Sequence, residues 1–435
     1  MSITQDSYAS TFGFDFLPDG NVCSPKGISA VGVHAGFRKN ASKPDLALIV
    51  ADDIASAAAT FTQNLFCAAP VSFSKSQLEA TSGSPSYGSA KAIVINSGNA
   101  NAATGEKGME ACAEEAELVS EAIDCDKKDV LVASTGVIGV QLPMEPFVEG
   151  LKAAESCLSR DGGHEAALAI MTTDTVPKEC AVRFDGSTLG YPDIEFTIGG
   201  MAKGSGMIMP NMATMISVIT TDAPIKANHA YDLLKQAVDG SFNKVTVDSD
   251  TSTNDTCFLL ATGDAVKAMD ASYDPQPFEP GTKAYETFAL ALKQVCVALA
   301  RAMAKDGEGA TRLVNVHVKG ARDAEDADIA ARTVANSPLV KTAIAGRDAN
   351  WGRIAAALGR SGAHFSQENV NIDILGIPVC RRGLALDFDE DEALRRFESS
   401  EVDIMCDLGE GDSSTNVWTC DLTHDYVSIN GDYRT

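Results

Sequence analysis

Along all 435 residues, short runs of β-branched and other apolar residues alternate with stretches whose apolar positions recur at steps of three and four. That alternation restricts the chain to an α/β fold with sizeable sheets packed between helices. The runs that read as strands cover residues 45–51, 92–96, 130–133, 195–198, 215–220, 257–261, 313–318 and 426–429. Residues 109–123, 145–158, 229–238 and 286–304 read as helices, the last of them (ETFALALKQVCVALARAMA) most clearly. A Ser/Gly/Pro segment at 81–90 and a three-proline segment at 270–283 read as surface excursions, and the acidic run after residue 386 as a helix start or solvated face.

Composition removes several function classes. Acidic residues outnumber basic ones 60 to 35, for a net charge of −25, and no run of five basic residues occurs. Nucleic acid and anionic membrane are therefore unsuited partners, because counterion release needs clustered Lys and Arg. The first twenty residues lack a basic start followed by an apolar core, and no stretch approaches the roughly 18 uninterrupted apolar residues expected of a membrane span. Eleven cysteines are scattered without a CxxC pair, and none of the six histidines stands near them at ligand spacing. The expectation is a cytoplasmic protein with free thiols, no disulfide and no metal.

The familiar catalytic signatures are missing: there is no GxSxG, no HExxH and no phosphate-binding loop ending in Gly-Lys-Ser/Thr. The run from Asp248 to Asp255 resembles a calcium loop. It has Thr253 where a glycine is needed and Leu259 where an acid is needed, so its carboxylates read as organisers of a turn. What remains are Gly-, Thr- and Asn-rich segments beside strands, at 96–105, 133–139, 171–178, 199–215 and 306–312. Each has a plain reading: Gly204 and Gly206 as positive-φ turns, Thr135–Gly136 as a strand end, Lys203 and Glu308 as solvent-facing charges.

The segment at 199–215 admits a sharper chemistry. It runs through Asn-Met-Ala-Thr into the apolar run at 215–220. A threonine hydroxyl inside a chain is a weak nucleophile. At a chain terminus its own α-amine, with a reference pKa of about 7.7–8.0, accepts the hydroxyl proton at neutral pH. Attack of the Thr214 hydroxyl on the Ala213 carbonyl, followed by hydrolysis of the ester, would create that terminus.

The sequence from KGSGMIMPNMATM into ISVITTDA resembles the self-cleavage segment of the ornithine acetyltransferase (glutamate N-acetyltransferase, ArgJ) family. Further matching segments include INSGNANAATG, VLVASTGVIG, MTTDT, VTVDSDTSTNDT, KDGEGATR, GRDANWGRI and DLTHDYVSINGDYRT, in the family's order. Met209 replaces a histidine common in relatives, and the loop before YPDIEFTIGG is longer than usual. The resemblance implies a DmpA/ArgJ-like α/β fold, self-cleaved into an α chain, residues 1–213, and a β chain, residues 214–435. It implies Thr214 as nucleophile, Thr135 and Gly136 as the oxyanion hole, and Thr172, Lys203, Thr214, Glu308, Asn430 and Thr435 as substrate-binding positions. At the first of these, neighbouring Thr173 is the alternative.

The implied reaction moves an acetyl group from N2-acetyl-L-ornithine to L-glutamate in arginine biosynthesis, by ping-pong through acetyl-Thr214. No cofactor is implied, acetyl-CoA being a second acyl donor in bifunctional members, and the assembly implied is α2β2 or a multiple. Two other readings stay open at this level. One is a self-processing N-terminal-nucleophile aminopeptidase or amidohydrolase, the other an uncleaved acyl-amino-acid binding protein.

Overall fold

The computed structural model describes residues 14–209, 215–269 and 275–432. Ala213, Thr214 and Thr435 lie outside these residues, as does part of the proline segment. Nine described strands build one sheet: β1 (Asp15–Phe16), β2 (Ile28–Val33), β3 (Leu46–Phe61), β4 (Tyr87–Asn99), β5 (Val130–Val137), β6 (Lys178–Asp185), β7 (Glu195–Lys203), β8 (Ile216–Thr221) and β9 (Thr256–Ala261). Their order is β1-β6-β7-β8-β9-β3-β4-β5, with β2 also paired to β3. A second sheet holds β10 (Leu313–Ala321), β11 (Asn371–Ile374), β12 (Ile377–Arg381), β13 (Leu384–Ala385), β14 (Glu401–Asp407) and β15 (Ser413–Cys420), in the order β13-β12-β11-β14-β10-β15. The fold is mixed α/β, as the alternation predicts. Strands β8 and β9 lie between β7 and β3, so residues on either side of position 213 share one hydrogen-bonded sheet.

Alternation on β3 shows how the layers arise. Leu46, Leu48 and Val50 pack with α1 (Ala69–Ser82), α2 (Gly105–Ala122) and α3 (Met144–Cys157). Ala47, Ile49 and Ala51 face the opposite side and pack with α4 (Gly163–Ile170). The strand continues ten residues past the expected end at Ala51, because a register shift between Val50 and Ala55 turns Asp52 and Asp53 to solvent. There they pair with Arg160 and Lys267. Strand β7 likewise outruns its expected end at Ile198, because β6 and β8 bond its backbone on both sides through Gly199 and Gly200.

The helices α5 (Ala227–Asp239) and α6 (Lys283–Lys305) cover the β6–β9 part of the sheet. The α6 side chains Phe288, Leu292, Val295, Leu299 and Met303 are buried at helical spacing, each worth about 1.5–3 kcal/mol. Thr282 caps this helix by accepting the Tyr285 N–H at 3.3 Å. Long and apolar enough by composition to cross a membrane, α6 instead packs on β6 and β7 and reaches β10 and β15, joining the two sheets. On the second sheet lie α7 (Ala324–Ala335), α8 (Pro338–Ala345) and α9 (Trp351–Gly359). The acidic run starts α10 (Glu390–Arg396), where Asp389 accepts the Glu392 N–H at 2.9 Å.

One expected strand is a helix. Residues 426–429 lie inside α11 (His424–Asp432). None of its residues is buried, so no apolar layer rewards an extended form and a helix satisfies the backbone locally. The Thr423 hydroxyl accepts the Asp425 N–H at 3.2 Å, and Asp425 complements the first-turn dipole.

On α2, Glu115 is 1 % exposed, and its Oε2 has no hydrogen-bond partner among the described residues. Burial, aided by the neighbouring Glu114 charge, pushes its carboxyl up to about 8. The folded form therefore holds a proton that the unfolded chain releases near its ordinary value, so this group lowers stability as pH rises between the two values. Glu115→Gln is expected to match the wild type near pH 4 and exceed it at pH 8 by a few kcal/mol, on the order of 2–4. Denaturant unfolding at the two pH values checks this.

Candidate active site

Most of the predicted site residues in the described chain converge where β5 and β7 end and β8 and β9 begin. Thr135 and Gly136 close β5, which runs parallel to β4 with Gly98 opposite Gly136. Gly136 has φ +137°, and a Cβ there would lie 2.3 Å from the Gly98 carbonyl carbon. Only glycine fits. Gly136→Ala is expected to lower the melting temperature sharply and cut the folded yield, by the ~1–3 kcal/mol of the strained conformation plus the backbone clash. Thermal unfolding tests this.

Lys203 ends β7 and is 2 % exposed, so its plain reading as a solvent-facing charge fails. Its ammonium donates to the Thr172 hydroxyl at 2.7 Å and to the Thr135 hydroxyl at 3.4 Å. Thr172 is thus the threonine that meets Lys203, whereas the Thr173 hydroxyl shares a hydrogen bond with Ser205 at 2.7 Å. Burial lowers the Lys203 pKa against the raising effect of Asp174, and Lys178 and Arg38 lower it further. A hydroxyl that accepts from an ammonium keeps its own proton for donation, which gives Thr135 the form required of an oxyanion donor.

Behind Lys203 lies a carboxylate layer absent from the sequence reading. Asp174 accepts from Thr172 N at 2.9 Å, Gly204 N at 2.6 Å and Lys178 Nζ at 2.7 Å. Lys178 also binds Asp306 at 2.6 Å. Burial drives the Asp174 carboxyl up, but Lys178 and Lys203 outweigh it and hold the group well below the usual carboxylate range. The ion pairs carry the chain from Asp174 to the 306–309 turn, which bears Glu308. The available signal was the position of these acids within threonine- and glycine-rich segments flanking strands.

Glu308 is half-buried, and its N–H bonds the Ser205 carbonyl at 2.8 Å. Gly204 has φ +149°, as its turn reading requires, whereas Gly206 does not have a positive φ. Its missing side chain instead makes room for the Glu308 carboxyl, whose carbon would stand 2.5 Å from a Cβ. From α11, Asn430 donates to Glu308 Oε2 at 2.7 Å, and the Tyr426 hydroxyl donates to Asp248 at 3.3 Å. Asp248 also takes the Ile208 N–H at 2.9 Å, a bond across 40 residues that braces the glycine-rich segment rather than a local turn. Thr135, Gly136, Thr172 and Lys203 form one group, and Glu308 with Asn430 a second, linked through Ser205. Among the described residues no cluster of three metal-ligating side chains occurs.

The described chain resumes at Met215, the residue after position 214. The Met215 N–H donates to Asp255 Oδ1 at 3.0 Å, and the Met215 carbonyl accepts the Thr256 N–H at 3.0 Å.

Comparison with known proteins places this arrangement in a family. The ArgJ family model matches residues 29–435. The chain is 47 % identical to the "arginine biosynthesis bifunctional protein ArgJ" of Symbiobacterium thermophilum, over 96 % of this chain and 99 % of that one. It is 45 % identical to the protein of the same name from Caldanaerobacter subterraneus, again over 96 % and 99 %. Among solved structures, it resembles the ArgJ of Bacillus halodurans with a TM-score of 0.47 and 39 % identity, over 50 % of this chain and 98 % of the other. With a family match across nearly the whole sequence and relatives near half identical end to end, this chain belongs to the ArgJ family.

Proposed function

We propose that this protein is a glutamate N-acetyltransferase of arginine biosynthesis, acting from N2-acetyl-L-ornithine through acetyl-Thr214. The observation that carries the reading is the buried Lys203 ammonium, which donates to both Thr172 and Thr135. A buried cation beside an oxyanion donor suits an acyl amino acid, whose carboxylate needs a cation and whose carbonyl needs a donor.

Processing comes first. The Thr214 hydroxyl attacks the Ala213 carbonyl carbon, the C–N bond breaks, and the nitrogen takes the hydroxyl proton. Water then opens the ester, leaving a carboxylate on Ala213 and a free amine on Thr214. The two pieces stay joined because β8 and β9 remain bonded to β7 and β3.

Transfer follows by the same chemistry. The Thr214 amine takes the hydroxyl proton as Oγ attacks the acetyl carbonyl, and the Thr135 hydroxyl and Gly136 N–H receive the developing negative charge. Ornithine leaves with the proton, and the glutamate amine reverses the sequence on the ester. Lys203 pairs with the substrate α-carboxylate, and Thr172 orients that pair. Glu308, positioned by Asn430, together with Thr435 receives the ornithine side-chain ammonium. No resident cofactor enters these steps. Acetyl-CoA serves as a second acyl donor to the same threonine, a reading supported by the "bifunctional" name of relatives at 45–47 % identity. The protein works in the cytoplasm as two α and two β chains or a multiple.

The test measures ornithine release from N-acetylornithine with and without glutamate. Release that depends on glutamate and yields equal N-acetylglutamate supports the transferase. Release at the same rate without glutamate marks a hydrolase, and binding without release marks a binding protein.

A further inference from the structure

Two buried neighbours, Asn254 and Asp255, lie between Ser134 and Met215 and belong to neither the nucleophile, the oxyanion pair nor the substrate contacts. Asn254 is 6 % exposed, and its amide donates to the Ser134 carbonyl at 2.8 Å and the Ala100 carbonyl at 2.6 Å. Its Oδ1 accepts the Thr253 hydroxyl at 2.6 Å, so the amide's orientation is fixed. Ser134 directly precedes Thr135, so one end of this dipeptide holds the peptide that leads into the oxyanion donors. Asp255 is 1 % exposed, and its Oδ1 takes the N–H of Met215, the residue that directly follows Thr214. The Asp255 carbonyl accepts the Thr62 N–H at 2.9 Å at the end of β3, which anchors the dipeptide to the sheet. Asp255 Oδ2 has no hydrogen-bond partner among the described residues, although the Ser252 hydroxyl interacts with the carboxyl group.

We propose that Asn254 and Asp255 are positioning residues that form a clamp, fixing the distance between the residue-214 nucleophile and the Thr135–Gly136 donors. The inference rests on the acetyltransferase reading for the roles of those groups, but its geometry consists of bonds to Ser134 and Met215. A tetrahedral intermediate spans the nucleophile and the oxyanion donors, so its stability depends on their separation, and a shift of about 1 Å costs on the order of 10²-fold in rate. Both self-cleavage and transfer pass through such an intermediate. One clamp therefore serves both steps while touching neither substrate.

The experiment compares Asp255→Ala, Asp255→Asn and Asn254→Ala with the wild type in three readouts. These are the extent of self-cleavage by mass, kcat and KM for transfer, and hydrogen exchange at the Met215 amide. Asp255→Ala is expected to lower the cleavage rate and kcat by about 10²-fold with KM nearly unchanged, and to lose protection at Met215. Asp255→Asn, which keeps an oxygen acceptor, is expected to restore protection and most of kcat. Asn254→Ala is expected to lower kcat similarly while Met215 stays protected.

A merely structural role predicts lower melting temperatures with the surviving folded enzyme fully active, and that outcome overturns the clamp. So does an Asp255→Asn protein as impaired as Asp255→Ala, which assigns the effect to the acid's proton or charge rather than to its position. If the wild type shows no transfer, the acetyltransferase reading fails. Unchanged exchange at Met215 in Asp255→Ala overturns the clamp whatever the activity.

Discussion

Thr214→Ala is expected to yield an uncut chain of 435 residues that makes no N-acetylglutamate. The two losses share one cause. The hydroxyl that opens the Ala213–Thr214 bond is the hydroxyl that carries the acetyl group, and alanine supplies neither. Loss of a nucleophile in acyl transfer costs several orders of magnitude, with only residual acceleration from the oxyanion donors. Here the effect is compounded, because the uncut chain also lacks the α-amine that serves as base. Thr214→Ser keeps a hydroxyl and should still be cut. Fold and stability serve as the control: Met215 is held by Asp255 and Thr256. Thr214→Ala should therefore unfold near the wild-type temperature. Denaturing mass measurement and a glutamate-dependent transfer assay check the two losses.

Lys178→Met is expected to have the largest effect on stability. The Lys178 ammonium is 1 % exposed and bridges Asp174 and Asp306. Removing one member of a buried ion pair leaves an uncompensated charge and costs about 3–5 kcal/mol. Asp174 would retain Lys203 at 4.0 Å, beyond hydrogen-bond distance. The pH dependence identifies the mechanism. In the wild type, Asp174 is held well below the usual carboxylate range, so the unfolded chain binds a proton before the folded one does. Its contribution is complete above about pH 4 and is lost as pH falls through the depressed folded value. Without Lys178, burial prevails and the carboxyl moves up, so protonation relieves the buried charge. The stability gap between wild type and Lys178→Met should be wide at pH 7 and narrow in acid. A gap that does not change with pH would assign the loss to packing. Asp174 also bonds the Thr172 and Gly204 amides, so activity should fall with stability.

The strands and helices were legible wherever burial is one-sided. The period-3.6 pattern of α6 and the alternation of β3 mark their faces in the sequence. Where the sequence misled, a tertiary partner or its absence decided. Residues 426–429 have the composition of a strand but no apolar layer to bury them, so they close a helix over Glu308. Strand β7 runs through two glycines because its neighbours pair with it.

The site separates in the same way. Thr135, Gly136, Thr172 and Lys203 were found by resemblance, and the structure brings them together. Asp174, Lys178 and Asn254 went unassigned and Asp255 was read only as a turn organiser, because carboxylates and amides in loop-like segments look alike until their long-range partners are seen. Asn254 meets Ala100 and Ser134 across more than a hundred residues, a separation that no local pattern encodes.

The acetyl-threonine intermediate is the central claim, and the intact mass of the protein under denaturing conditions tests it most directly. Purified protein is measured alone, after N-acetylornithine, and after N-acetylornithine followed by glutamate. Two pieces are predicted, the second beginning at Thr214, becoming one acetyl group heavier with N-acetylornithine and losing it again with glutamate. An uncut chain, or a second piece whose mass N-acetylornithine never changes, would contradict the account.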